Sequence, residues 1–513
     1  MSSSDSLKKR YLYKVFGNGM SMAAGAVTQA VIPRCLGALQ YGNFCFLTDF
    51  FLQIMGFLNA GSSTGFYTKL SKRPCENKLV LFYLGYIFLA VMAGLLMVSV
   101  AAGLGWERQM WPGQTLKYVY AGGIFAGLNW LSSSMNDTVD AYGITVAAEK
   151  ARMVQRIGGV VLVLIMMQYQ MISLDTVFYF NYVIFLVAIL FFVYLARQGG
   201  FPLKLEKMTT LEAGAYAGEF YRYSKPLFMY ALVAFGIGLF DRWFLQVMAG
   251  GVQQGFYGLS FKIGALCFLL TGPMTQLITR EFSIAYQKKD FGEIARLFRR
   301  HIPLLYGVTA SIACFVAMNA DKVAIIMGGR EFKGATLAVV IMALYPIHQT
   351  YGQLSNAVFF ATDQTRLYRN ISVASMLVGI PATYFLLASP VNFGLGAGAV
   401  GLAAKVVAFN VVTVNVCLYF NARFLHLPFG WYLRHQLLSV LAFAGMAFVS
   451  TFIVERCWAG GDVVFRFLIA GAIYFVVIAA SVFLVPGFLG LKRGDIGLVM
   501  HKMMKSFSGS SKR

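Results

Sequence analysis

Six charged residues lie inside long apolar stretches or at their ends, where charge is costly. A charge at the bilayer centre costs about 2.5–3.5 kcal/mol on insertion scales. Lys405 lies about nine residues into its apolar stretch, which is about 13 Å along a helix. Such residues are expected to face a cavity or a partner of opposite charge. The set is Lys405, Lys262, Arg242, Arg34, Asp49 and Asp241.

The basic members of this set suit a phosphate or diphosphate group. Guanidinium and ammonium groups stabilise phosphoryl oxygens away from bulk water. We therefore predict that Lys405, Lys262, Arg242 and Arg34 bind substrate. The candidate ion-pair or coupling residues are Asp49, the nearest counter-charge, and Asp241.

Other roles stay open for some of these residues. Lys262 could extend its flexible side chain to the membrane surface. Arg242 and Asp241 lie near the outer end of their predicted helix, where a local interfacial role competes with substrate binding.

Motifs for enzymatic chemistry are weak in this sequence. The stretch Gly61–Gly65 fits G-x-S-x-G, but it lies at the end of an apolar segment rather than in a strand–turn–helix. The stretch Gly396–Gly401 fits G-x-G-x-x-G without a βαβ context, so close helix packing is the better interpretation. The five histidines have no metal-ligand spacing. We predict no catalytic residue, no metal and no cofactor.

The elements that carry these residues are membrane-spanning helices. The chain has 513 residues, of which 58% are hydrophobic and only 12% charged. Soluble domains have about 25% charged residues. A span needs about 20 mostly apolar residues, and about fourteen segments qualify. They are 13–33, 42–66, 79–103, 117–143, 153–172, 175–196, 224–245, 255–279, 302–319, 336–361, 370–389, 396–420, 431–454 and 463–486, of which the fourth and tenth are the most polar.

The positions of Lys and Arg predict the orientation of these spans. Basic residues favour alternate loops by about four to one, which predicts that both termini are cytoplasmic in a multi-pass inner-membrane protein. The net charge of +22 is spread over short loops. It therefore indicates topology and contact with membrane lipids, and we predict no nucleic-acid partner.

The chain also contains an internal repeat. Leu36–Phe44 and Gly250–Phe261 both place Gln, Tyr and Gly at the start of a span, and Ser133–Thr145 resembles Gln353–Thr365. Two similar bundles in one chain are the usual architecture of alternating-access carriers. We predict a six-helix lobe at 1–197, a linker at 198–223, a six-helix lobe at 224–420, and two further helices with a basic cytoplasmic tail at 421–513.

Several segments resemble the polysaccharide-transport branch of the multidrug/oligosaccharidyl-lipid/polysaccharide exporter superfamily. They are RCLGALQYGNF at 34–44, the stretch at 225–264, TREFSIAYQKKDFGEI at 279–294 and FGLGAGAVGLAAK at 393–405. The resemblance implies an all-α protein with two lobes around a central cavity. It also implies a flippase for polyprenyl-diphosphate-linked oligosaccharide. A polysaccharide polymerase and other assembly proteins are the further partners it implies.

Three alternatives remain. The first is a cation-coupled exporter of small molecules from the same superfamily, which the excess of intramembrane cations disfavours. The second is a membrane acyl- or glycosyltransferase, for which the sequence lacks an acid/base or metal constellation. The third is a membrane scaffold without transport activity.

Overall fold

The computed structural model describes residues 7–74, 76–200, 206–267, 272–362, 364–458 and 460–484. Part of the predicted linker, at 201–205, and the basic tail beyond 484 lie outside these residues. The described residues form helices and no strand, so the all-α prediction is confirmed.

The helices follow one another with short connections. Short 3₁₀ turns occur at Arg330–Ala335 and Pro390–Asn392. The α-helices are α1 (Leu7–Asn59), α2 (Ser62–Lys72), α3 (Asn77–Gly103), α4 (Glu107–Met110), α5 (Leu116–Ala141), α6 (Thr145–Gln168), α7 (Leu174–Gln198), α8 (Thr210–Cys267), α9 (Gly272–Gln287), α10 (Phe291–Met318), α11 (Ala320–Gly328), α12 (Thr336–Ala343), α13 (Tyr345–Ala361), α14 (Thr365–Leu387), α15 (Gly398–Phe424), α16 (Phe429–Cys457) and α17 (Val463–Leu484).

The helices α1 and α8 are 53 and 58 residues long, which is too long for one membrane crossing. Each contains a kink at the place where a loop between two predicted spans was expected. In α1 the kink is at Gly37 (φ 73°), between predicted spans 13–33 and 42–66. In α8 it is at Gly250 (φ 76°). Glycine adopts this left-handed region without the steric cost that other residues incur. The chain therefore turns within a single residue at both places.

Within the described residues, ten helices are long and apolar enough to cross a membrane, and the two kinked helices are among them. The fourth and tenth predicted spans are not in this set, although both are helical. The fourth is α5, which carries polar side chains. The tenth is divided between α12 and α13 at Leu344. Pro346 explains that division, because proline lacks the backbone N–H that would bond to the preceding helical turn, and it is tolerated in the first turn of a helix.

The chain divides into two compact units. The first unit comprises Met1–Gly258, Met327–Glu331 and Met376–Ala399. The second comprises Leu259–Ile326, Phe332–Ser375 and Val400–Arg513. The lobe boundaries predicted from the sequence stay a prediction.

Each unit has its own apolar core. Buried aromatic side chains on α1, α2 and α3 fill part of the first core, among them Phe51, Phe66 and Tyr83. In the second unit, α10, α13 and α16 pack together around Phe298, Tyr306 and other buried side chains. These cores hold the helices that carry the charged residues.

Inside the first unit, the repeated segments contact each other symmetrically. A Cβ atom on Gly42 would lie 1.7 Å from the carbonyl oxygen of Gly251. A Cβ atom on Gly255 would lie 2.2 Å from the carbonyl oxygen of Ala38. The two backbones therefore cross in direct contact just after each kink. Small residues permit this approach, as in other closely packed membrane helices.

Candidate functional site

Arg242 and Asp49 form an ion pair in the first unit. The Arg242 guanidinium, on α8 before its kink, donates to the Asp49 carboxylate on α1. The Arg242 side chain is 12% exposed and that of Asp49 is 34% exposed. The carboxylate therefore retains access from outside the pair, while the guanidinium is mostly enclosed.

The kink in α8 surrounds Arg242 with residues from further along the same helix. Arg242 Nη1 donates to Gln254 Oε1 at 3.2 Å, and the Gln254 amide donates back to the Arg242 carbonyl at 2.5 Å. The guanidinium carbon lies 4.4 Å from the centre of the Tyr257 ring, which is a cation–π distance. The turn at Gly250 makes these contacts possible, because it folds the chain back on itself.

Hydrogen bonds to a short connecting segment hold this part of α8 in place. Trp243 Nε1 donates to the Gln109 carbonyl at 2.8 Å. Gln246 Nε2 donates to the Pro112 carbonyl at 3.0 Å. These bonds join α8 to the segment between α3 and α5, so Arg242 projects from an anchored helix.

The arrangement leaves Arg242 able to hold an anion. A guanidinium has five N–H donors in a planar fork that matches phosphate oxygens. The hydrogen bonds to Asp49 and Gln254 engage two of the donor nitrogens. A phosphate could bind the remaining edge or displace the Asp49 carboxylate.

The structure places Asp241 in a different environment from its neighbour. Its carboxylate accepts a hydrogen bond of 2.7 Å from Thr383 Oγ1 on α14. Thr383 is fully buried, so this bond joins α8 to α14 inside the first unit. The contact suits a packing role, and the predicted coupling role of Asp241 stays a prediction.

Arg34 lies at the end of the first half of α1 and is exposed. Its side chain is close to Gly329, where an added Cβ atom would lie 3.4 Å from Arg34 Cγ. In the same short segment, the Glu331 carboxylate accepts a bond of 3.1 Å from the Ala38 amide. Glu331 thus satisfies a backbone donor next to the kink at Gly37.

Lys262 and Lys405 belong to the second unit. Lys405 lies on α15 and is only 6% exposed. Lys262 lies on α8 beyond its kink and is partly exposed. Of the six predicted residues, Arg242 and Asp49 are brought into direct contact within one unit.

The glycine motif at 396–401 has a structural explanation. Gly396 (φ 61°) and Gly398 (φ 52°) form the turn that leads into α15. The Ala399 amide donates to Gln253 Oε1 at 2.9 Å, and a Cβ atom on Gly398 would lie 2.7 Å from the same oxygen. This close approach matches the packing interpretation of the motif.

Sequence reasoning missed two internal charge clusters. Lys322 lies between predicted spans 302–319 and 336–361, but it is 3% exposed and donates to Glu455 Oε1 at 2.9 Å and to Asn319 Oδ1 at 3.1 Å. Arg152 lies between predicted spans 117–143 and 153–172, but in the structure it is part of α6 and pairs with the buried Glu149 at 3.0 Å. A polar stripe along α6 was the available signal for the second cluster, because its polar residues recur at helical spacing.

No protein-family model and no curated protein matches this chain. Solved structures do match it. An inward-facing multidrug resistance MATE family transporter of the MOP superfamily aligns over 79% of this chain and 94% of its own, with 16% identity and a TM-score of 0.62. The lipid II flippase MurJ, in an inward closed conformation, aligns over 92% of this chain and 98% of its own, with 12% identity and a TM-score of 0.65.

A MOP superfamily transporter from Pyrococcus furiosus aligns over 82% of this chain and 95% of its own, with 14% identity and a TM-score of 0.55. At such identities the similarity establishes the fold. The expected fold class is confirmed: this is a multi-pass, all-α membrane protein with the two-lobed fold of MOP superfamily transporters. The narrower resemblance to the polysaccharide-transport branch stays a prediction.

Proposed function

We propose that this protein is a flippase for lipid-linked saccharides. It moves a polyprenyl-diphosphate-linked oligosaccharide from the cytoplasmic to the outer leaflet by alternating access, for surface polysaccharide assembly. The protein lies in the inner membrane with both termini in the cytoplasm. A polysaccharide polymerase and other assembly proteins are the partners in this proposal.

The observation that carries the proposal is the largely enclosed Arg242 on a helix of a transporter fold. Its side chain is 12% exposed and keeps donors beyond those bonded to Asp49 and Gln254. A guanidinium in this setting favours a phosphorylated cargo over a cationic one. The fold is also that of a lipid II flippase, which is itself a carrier of a lipid.

In this proposal Asp49 is the resting partner of Arg242. When the cargo phosphate arrives, it replaces the carboxylate on the guanidinium. The replacement keeps the positive charge compensated throughout, which avoids the cost of an unpaired buried cation. Lys262, Lys405 and Arg34 provide further positive charge for the same cargo.

The alternative is a cation-coupled exporter of small molecules. It is favoured by the similarity to a multidrug resistance transporter with a TM-score of 0.62. Carboxylates such as Asp49 would then carry the coupling cation. The excess of basic over acidic residues within the spans argues against a cationic cargo for this chain.

A clean deletion in a host without a second copy tests the proposal. We expect loss of surface polysaccharide, with lipid-linked units accumulating on the cytoplasmic side. Complementation with Arg242→Gln should restore much less polysaccharide than the wild-type gene at equal membrane abundance. Normal surface polysaccharide in the deletion strain would refute the proposal. A change in drug susceptibility alone would favour the exporter.

A further inference from the structure

An open cavity of about 600 Å³, lined by both apolar and polar side chains, lies in the first unit. Four helices form its wall, namely α1, α5, α6 and α7. All of its lining residues belong to the first unit. The polar side chains that define its chemistry are Gln29, Asn136, Asp137, Arg152, Gln155 and Arg156.

Three of these side chains have buried polar atoms without a hydrogen-bond partner in the protein. Gln29 Oε1 and Asn136 Oδ1 are acceptors, and Arg152 Nε is a donor. Leaving such groups unsatisfied is costly, so native proteins usually pair them with protein, water or a ligand. The amides of Gln29, Asn136 and Gln155 and the guanidinium of Arg152 line the cavity, so its ligand must pair with amides that both donate and accept, and must accept from a guanidinium. A hydroxyl group does both.

The charge around the cavity argues against a diphosphate at this place. Arg152, Arg156 and Asp137 all line the cavity. Behind the wall, Arg152 lies 3.0 Å from Glu149 and 3.9 Å from Asp140. Arg152 is thus already paired with acidic groups, and the carboxylates in and next to the wall (Asp137, Asp140 and Glu149) outnumber its two guanidiniums. A neutral, hydroxyl-rich ligand fits this balance better than an anion.

Aromatic side chains complete the wall. Phe180 and Phe185 on α7 line the cavity together with the polar groups. An aromatic face gives a sugar ring an apolar surface for its C–H groups, while the amides and charged groups bind its hydroxyls. The volume lies within the range of about 300–1,000 Å³ that is typical of small-molecule sites.

We infer that this cavity binds the saccharide part of the cargo. The inference rests on the proposed function and assigns the sugar to a site distinct from Arg242. The predicted topology places the lining residues of α5 and α6 toward the cytoplasmic side, where loading would occur. The cavity thus makes the protein selective for glycosylated lipid over the bare lipid diphosphate.

The test measures that selectivity directly. The full-length protein in nanodiscs is offered lipid-linked saccharides from its own host and bare polyprenyl diphosphate, and binding is followed by native mass spectrometry. The wild type should prefer the glycosylated lipid by about tenfold or more, the effect of one or two hydrogen bonds. The double variant Gln29→Leu/Asn136→Leu should lose the preference and still bind the bare lipid diphosphate.

Gln168→Leu, at the exposed end of α6, is the matched control and should keep the preference. Thermal unfolding shows whether the double variant is folded, and the single variant Asn136→Leu serves if it is not. If the double variant Gln29→Leu/Asn136→Leu still preferred the glycosylated lipid, the cavity would hold only water, and the inference would be overturned. Equal weakening of both lipids would indicate an anion site and overturn it too.

Failure of the wider proposal gives a different result. If the wild type binds neither lipid, the flippase proposal falls, and this inference falls with it. If the wild type binds both lipids equally well, the flippase proposal stands and the saccharide site is refuted.

Discussion

The crossing of α1 and α8 should not tolerate a single added methyl group. In Gly42→Ala the new Cβ atom would lie 1.7 Å from the Gly251 carbonyl oxygen. Real Cβ atoms essentially never approach another heavy atom within 3.0 Å, so the backbones must separate by about 1.3 Å. Overpacking costs about 1–3 kcal/mol, and a backbone contact that cannot rotate away belongs at the upper end.

We expect Gly42→Ala to destabilise the protein by about 3 kcal/mol. Gly255→Ala should act similarly, because its Cβ atom would lie 2.2 Å from the Ala38 carbonyl oxygen. Gly56→Ala is the matched control on the same helix, since a Cβ atom there meets nothing within 4 Å. Its gain in helix propensity should stabilise the protein by about 0.5–1 kcal/mol.

The assay is reversible unfolding of the purified protein in mixed detergent–lipid micelles, with helix content followed by circular dichroism. Activity of the surviving folded protein is measured in parallel. If Gly42→Ala were as stable as Gly56→Ala, the direct backbone crossing would be refuted. Destabilisation by Gly42→Ala but not by Gly255→Ala would refute its symmetry.

Three further predictions concern charged side chains. Arg242→Gln should lower the free energy of unfolding by about 1–2 kcal/mol, less than the roughly 3–5 kcal/mol for a fully buried pair, because Asp49 is partly exposed. The double variant with Asp49→Asn should recover most of this loss in chemical unfolding. Additive losses would show that the two residues are not energetically coupled. Lys405→Ala should keep normal membrane abundance and lower transport about tenfold or more, with partial activity in Lys405→Arg; full activity per molecule would contradict a cargo role. Hydrogen bonds from Lys78 and a backbone amide lower the pKa of Glu212 to about 2, so the stability from this contact is present above the unfolded pKa of about 4.3 and is lost as pH falls toward 2. The protection factor for hydrogen exchange at the start of α8, which is the exchange rate of the unfolded chain at the same pH divided by the observed rate, should therefore fall between about pH 4 and pH 2 in the wild type and show no such transition in Glu212→Gln.

The positions of the membrane helices were predictable from the sequence, and so was the fold class. Each span depends on the summed hydropathy of about 20 consecutive residues, which is a local property. The fourth and tenth spans were the most polar in the sequence, and neither is among the helices long and apolar enough to cross a membrane. The fourth, α5, is long enough but not apolar enough, whereas the tenth is divided into α12 and α13, which are 8 and 17 residues long. Loops were expected near Gly37 and Gly250, where the structure has kinks within continuous helices. Hydropathy does not distinguish a loop from a kink, because a glycine in the left-handed region turns the chain without interrupting the apolar pattern.

The candidate site was predictable only in its residue types. The cost of burying charge singled out Arg242 and Asp49, which are 193 residues apart, but not the contact between them. The sequence by itself determined which segments enter the membrane, because partition between water and lipid depends on composition. Tertiary structure alone decided which polar side chains meet, since that depends on how distant helices pack. The unsatisfied amides of Gln29 and Asn136 show this, because they share a cavity only after α1 and α5 have come together.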